Sequence, residues 1–455
     1  MIGKIINIFR VPELRKKILF TIGAIAVYRL GSYIPIPGTN WAHLAEVMRL
    51  SGSLEGGGGY LGFISAITGG SMQPFLFCLG IMPYISASIV LQLLTTVIPA
   101  LERLAKEGEA GRKKINEYTR YLTVLLCLVQ GTMIVTANLG GSGAAGWRDP
   151  TVNPGLYVLT AVTAITAGTV FLMWLGEQID EFGIGNGVSL IIMGGIVDRL
   201  PAVVKYLWDN ASWSLAEEST ISAGVVMLIA VMFVCIVLAV VLVTQGQRRI
   251  PIQQAKMVRG RRVYGSSQRQ YLPLRVNQAG VIPVIFASSL LIIPGWIAKY
   301  LGNQFKGVSF FIELQSALQY GEVPYILIYV ALIVVFCYFW TAIQFQPTEM
   351  ANNLRDYGSF IPGMRPGRRT AEYLEKVMNR ITYVGAAFLA AIAITPILVS
   401  KATGVSMIMT GFLGGTGLLI IVSVALDVVQ RIESHLIMRH YEGFLSSGRV
   451  KGRRG

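Results

Sequence analysis

Ten long apolar segments leave this chain little choice of fold. They run approximately over 18–36, 74–97, 121–139, 156–175, 184–204, 221–244, 279–297, 324–345, 381–398 and 405–426. Crossing a bilayer core takes about 20 such residues. Lipid offers no partner to a backbone amide, so each segment is predicted to be a helix. The runs are long and lack the two-residue alternation of an outer-membrane barrel. Hydrophobic residues make up 53% of the chain and charged ones 14%, against about 25% charged in a soluble protein. The predicted fold class is an all-α membrane protein with ten transmembrane helices.

The connecting segments alternate sharply in charge. Of the 39 Lys and Arg, 31 fall in 1–17, 101–120, 245–275, 346–380 and the stretch from 427 onward. The intervening loops hold scattered ones, such as Arg49, Arg148, Lys205, Lys306 and Lys401. The positive-inside rule then places both termini in the cytosol. The short loop 176–183 has Glu177, Asp180 and Glu181 and no base, and lies on the cytosolic side by parity. An odd number of spans per half makes two inverted halves of five. The expected organisation is a cytosolic segment 1–17, a first half 18–207, an external hinge 208–220 within the loop 201–220, a second half 221–426, and a basic cytosolic tail 427–455. No cleavable signal peptide is expected, because 1–17 leads straight into the first span.

The spans are informative for what they lack. Charge inside a bilayer costs about 2.5–3.5 kcal/mol per residue and usually marks function. Arg29 is the main exception and is expected to snorkel outward. No proton relay stands at the midplane, as an ion-coupled transporter would need. The histidines (His43, His435, His440) lie outside the spans, so an intramembrane protease finds no Ser/His dyad or metal cluster. Cys78, Cys127, Cys235 and Cys337 sit in separate apolar stretches and are expected to be buried thiols. No phosphate-binding G-x-x-x-x-G-K-[ST] loop occurs. Neither catalytic residue nor metal or other cofactor is expected.

Three further stretches stand out. After the glycine tract 56–59, the segment 61–73 (LGFISAITGGSMQ) is apolar but too short to span. It reads either as a re-entrant element packed inside protein or as an external amphipathic loop. The segment 245–275 holds eight Lys or Arg and no acid. Alternation around 248–251 and 261–264 suggests short strands or a projecting hairpin. The segment 346–380 carries Arg365, Arg368 and Arg369 on a Pro/Gly turn. Such charge runs serve either as topology determinants or as docking surfaces for an RNA-rich or acidic partner.

Long motifs settle the relationship. GSYIPIPG at 31–38, LGIMPYISASIVLQLL at 79–94, EGEAGRKKINEYTRY at 107–121 and FLMWLGEQIDEFGIGNGVSL at 171–190 resemble the SecY/Sec61-alpha family. So do GQRRIP at 246–251, GRRVYG at 260–265, YLPLRVNQAGVIPVIFASS at 271–289 and MANNLRDYGSFIPGMRPGRRTAEYL at 350–374. The resemblance runs from about residue 14 to 441 and is bacterial or organellar in style. Departures are confined to the glycine tract, the external loops and the end of the tail.

The resemblance implies a function and a set of residues to carry it. The chain is expected to be a passive, gated conduit for signal-bearing polypeptides, across the plasma membrane of a bacterium or sideways into lipid. A pore ring would comprise Ile81, Ile85, Val188, Ile192, Ile285 and Ile420, with Val188 departing from the commoner Ile. A short re-entrant plug helix at 61–73 would use Leu61, Phe63, Ile64, Ile67, Gly69 and Gly70. Ser86, Gln92, Gln130 and Asn277 would be the polar residues of a lateral gate, hydrogen-bonded to one another when shut. Arg248, Arg249, Lys256, Arg261, Arg262 and Arg365 would dock the SecA motor or a ribosome, through ribosomal RNA and proteins. Partners implied by the same resemblance are SecE-like and SecG-like small membrane subunits, signal peptides and nascent membrane proteins, YidC, SecDF and the phospholipid bilayer. Energy would come from the SecA ATPase, the ribosome or the proton motive force.

Overall fold

Every one of the ten predicted segments overlaps a helix in the computed structural model. It describes residues 11–40, 74–139, 147–198, 200–212, 221–254, 257–259, 262–264, 270–304, 309–318, 321–403 and 416–447. In chain order the helices are α1 Pro12–Gly31, α2 Met82–Val97, α3 Pro99–Lys106, α4 Glu109–Ala137, α5 Pro154–Phe182, α6 Gly187–Val197 and α7 Leu200–Asn210. They continue with α8 Ala223–Gln245, α9 Ile282–Gln304, α10 Ser309–Ala317, α11 Val323–Gln344, α12 Pro347–Asp356, α13 Arg368–Thr403 and α14 Thr416–Ser447. Among the described residues, five helices are long and apolar enough to cross a bilayer unaided. The pair α2 and α3, bent by 101°, makes a sixth if it counts as one span. The others fall short for visible reasons: α1 starts among Glu13, Arg15, Lys16 and Lys17, and α6 is only 11 residues long.

The expected span 184–204 is broken into α6 and α7. Asp198 caps the end of α6, and Arg29 of α1 forms an ion pair with it. This corrects two expectations. Asp198 and its neighbour Arg199 are further charges within a predicted span, and Arg29 is partnered rather than left to snorkel. Two opposite charges held together cost far less in an apolar setting than either alone. The Arg29 guanidinium also lies over the Tyr33 ring, 4.6 Å from its centroid, a favourable cation–π geometry. Residues 201–210, expected in a loop, are helical in α7.

The chain gathers into two compact units. One takes in the described residues of Met1–Ala223 and Ile420–Gly455, the other those of Gly224–Val405 and Leu413–Leu419. In the first unit Phe77 stacks between Tyr28 and Phe171, with centroids 6.1 Å away on each side. Gly31 leaves room for that ring: a Cβ there would sit 2.2 Å from Phe77 Cε2. Helices α5 and α6 meet backbone to backbone, and a Cβ on Gly187 would come within 2.0 Å of the Gly176 carbonyl oxygen. Asn186 caps α6 by accepting from Ser189 N at 3.0 Å. Three cysteines are buried as expected, but Cys235 is exposed, because α8 turns most of its surface outward.

Candidate docking platform and constriction

The expected hairpin is present in the second unit. Strand β1 (Gln247–Gln254) pairs antiparallel with β2 (Gln270–Arg275), from Gln247↔Arg275 to Ile252↔Gln270. Met257–Arg259 and Arg262–Tyr264 form a second antiparallel pair beyond it. Sequence reasoning missed the next step. The other basic loop contributes a two-residue strand, Ser359–Phe360, which pairs with the far end of β1. Both basic loops therefore share one three-stranded sheet. Its inner residues Ile250 and Leu274 enter a core with Phe345, Ile361, Leu374 and Met378. The apolar Phe360–Ile361 step, inside an otherwise polar loop, was the available signal.

That core holds the charges outward. Arg248 and Arg249 are exposed on β1, and Tyr271 is exposed on β2. Arg365 is exposed on a turn whose flanking Gly363 and Gly367 have φ of 83° and 109°, values that favour glycine. The Thr370 hydroxyl donates to the Arg365 carbonyl at 3.0 Å and ties the turn to α13. Lys256 and Arg261 lie outside the described residues. Arg262 stands opposite Arg259 in the outer strand pair. The described part of this sheet carries arginines and no carboxylate, so its field is positive and suits phosphate or acidic surfaces.

The ring candidates fall in both units. Ile81 precedes α2 and is fully buried, and Ile85 N donates to its carbonyl at 3.1 Å. Ile85 and Val188 are half-buried, while Ile192, Ile285 and Ile420 are buried. Val188 packs on Gly176, where a Cβ would be 3.5 Å from its Cγ2. The close α5–α6 approach thus sets the position of Val188 and of Ile192 one turn on. The plug candidates Leu61, Phe63, Ile64, Ile67, Gly69 and Gly70 lie outside the described residues.

The gate candidates are divided between the units, with Ser86, Gln92 and Gln130 in the first and Asn277 in the second. Asn277 Nδ2 donates to the Gly280 carbonyl at 3.0 Å, closing its own turn. Gln130 Oε1 is buried with no partner among the described residues. Ser86 and Gln92 make no side-chain hydrogen bond with a described residue. A short polar side chain next to a turn is satisfied locally before it reaches another helix.

The acidic stretch 176–183, expected as a loop, is instead the C-terminal end of α5, and its charge is balanced from outside itself. Arg120 of α4 reaches both Glu177 oxygens, at 3.1 and 2.7 Å. Asp180 accepts from Gly187 N at 2.8 Å. The Thr21 hydroxyl of α1 accepts from Ile184 N at 3.1 Å. Sequence reasoning assigns this stretch by parity alone, and these contacts supply its missing compensation.

Comparison with known proteins gives a consistent result. The family model described as SecY matches residues 76–429. The protein translocase subunit SecY of Thermotoga maritima is 43% identical over 98% of this chain and 99% of its own length. A solved structure titled as that of a protein conducting channel aligns with TM-score 0.60 at 18% identity, covering 96% of this chain and 95% of the other. Sec61 in a canine ribosome-channel complex from the endoplasmic reticulum aligns with TM-score 0.54 at 16% identity, over 96% and 95%. At these identities the two structures speak for the fold.

Proposed function

The chain belongs to the SecY family, and on that premise we propose that it is the channel subunit of a protein translocase. It is a conduit and not a catalyst. Full-length similarity to a translocase subunit carries this reading, and the fold shared with a protein-conducting channel supports it.

In finer detail, ten helices in two inverted halves enclose a pore, and 61–73 plugs it. Ile81, Ile85, Val188, Ile192, Ile285 and Ile420 form an aliphatic collar that seals around a peptide of any sequence. Branched apolar side chains also exclude ions by dewetting when nothing occupies the pore. Val188 and Ile192 stand four residues apart in α6, on one helix face, which supports such a constriction. Ser86, Gln92, Gln130 and Asn277 line a lateral gate whose polar contacts, at about 0.6 kcal/mol each in membranes, yield to an apolar signal helix. Gln130 has a buried side-chain oxygen with no partner among the described residues. The basic sheet with Arg248 and Arg249, together with Arg365 on the adjoining turn, docks a ribosome or a SecA motor, and the exposure of these arginines, unpaired with any carboxylate among the described residues, supports that role. SecE-like and SecG-like subunits complete the channel in a bacterial plasma membrane, with both termini cytosolic.

A translocating chain stalled inside the pore tests the path. A photoreactive residue placed in the stalled chain should crosslink to cysteine probes at Ile85 and Ile192, and not to one at exposed Leu238 of α8. Equal crosslinking at Leu238, or none at the two isoleucines, contradicts the assignment.

A further inference from the structure

A groove in the second unit lies beside the docking sheet and is floored by part of the same apolar core. Helices α11, α12 and α13 enclose a volume of about 790 Å³, which opens onto a second hollow of about 500 Å³. Both are lined by Tyr338, Glu372, Glu375 and Asn379. The floor of the larger hollow is apolar and includes buried Phe345, Ala351 and Met378.

One face of α13 forms the rim. Positions 372, 375, 376, 379, 380 and 383 line the outer hollow and keep the spacing of three and four that holds residues on one helix side. Arg368 and Glu372 pair with each other at 3.0 Å. Glu375, Lys376 and Arg380 make no ion pair among the described residues. The groove therefore offers one free carboxylate and two free cations within about a turn and a half of helix.

Depth can be read from the sequence. The apolar run of α11 ends at Phe345, and that of α13 begins at Ile381. The groove sits where these helices leave the hydrocarbon. Tyr338 and Tyr383 face it, and tyrosine is enriched at that level of a membrane.

We propose that this groove binds the headgroup of a zwitterionic phospholipid carrying a primary ammonium, of the phosphatidylethanolamine class. The lipid phosphate meets Lys376 and Arg380 through charge-assisted bonds. The ammonium, two carbons away, meets the Glu375 carboxylate and the Tyr338 and Tyr383 ring faces. An acidic lipid would leave Glu375 repelling it, and a choline headgroup could not donate hydrogen bonds to the carboxylate. The buried apolar floor takes the glycerol and the first chain carbons. Lipid binding here does not depend on the conduit reading, so either can fail alone.

Native mass spectrometry tests it on the full chain, purified with its membrane subunits and stripped of lipid. Dioleoyl phosphatidylethanolamine, phosphatidylcholine and phosphatidylglycerol are titrated separately. The ethanolamine lipid should bind tightest. Glu375→Gln and Arg380→Gln should each weaken it about tenfold, the loss of one charge-assisted contact, whereas Glu117→Gln on exposed α4 should not. Both substitutions are at exposed positions, and unchanged melting temperatures verify that the fold is kept. Tightest binding of phosphatidylglycerol, or ethanolamine-lipid binding insensitive to both variants, overturns the proposal. So does a Tyr383→Cys crosslinker that captures a partner subunit in place of lipid.

Discussion

Replacing Ile85 and Ile192 with glycine raises the resting ion conductance of the reconstituted channel about tenfold or more. A tenfold change corresponds to about 1.4 kcal/mol in the barrier, a small demand on two lost branched side chains. In a narrow apolar collar the barrier to an ion is the absence of water, and water returns once the lining recedes. Ile85 is half-buried and Ile192 buried, so both substitutions also cost stability, about 2–5 kcal/mol for a fully buried isoleucine cut to alanine. A destabilised bundle leaks for uninteresting reasons, and a control is needed. Ile165→Ala empties a fully buried site in α5 at a similar cost but away from the collar. Planar-bilayer recordings should show the leak in the double glycine variant and not in Ile165→Ala. Unchanged conductance in the double variant, or equal leak in both, removes these residues from the constriction.

Reversing charge at Arg248, Arg249 and Arg365 to glutamate weakens ribosome binding about a hundredfold or more at low salt. Each reversal replaces an attraction with a repulsion, and three together exceed the 2.7 kcal/mol or so that a hundredfold requires. The salt dependence is the sharper readout. If these side chains meet phosphates, log affinity falls with log salt, and losing three contacts flattens that slope by about three. The sheet core is untouched, since all three side chains are exposed and Ile250 and Leu274 stay buried beneath them. SecA-stimulated export should fall in the same variant. Wild-type ribosome affinity with an unchanged slope would reduce the arginines to topology determinants.

How much the sequence reveals depends on how local each cause is. The helices are legible because lipid imposes one rule on every residue in them. The hairpin at 247–275 is legible because alternation is a two-residue pattern. The strand at Ser359–Phe360 is not, since two residues carry no period and its partner lies about 105 positions earlier. Arg120 and Glu177, 57 residues apart, show in the sequence only as a base in one loop and an excess acid in another. Asp198 hides inside an apolar stretch, although two charges at 29 and 198 in adjoining helices invite pairing. The apolar neighbours of Cys235 suggest burial, but a lipid-facing helix is apolar on its outside too. The gate residues show the opposite limit. Their polarity marks them correctly as unusual, yet Asn277 spends its amide on its own turn.

The most direct measurement is transport itself. The chain is reconstituted into liposomes with a SecE-like subunit, SecA and a radiolabelled preprotein bearing a signal sequence. Protease-protected preprotein that accumulates only with ATP, and disappears when the signal sequence is deleted, is the result expected of a protein-conducting channel. No protected preprotein under conditions where the same vesicles take up a small solute would contradict it.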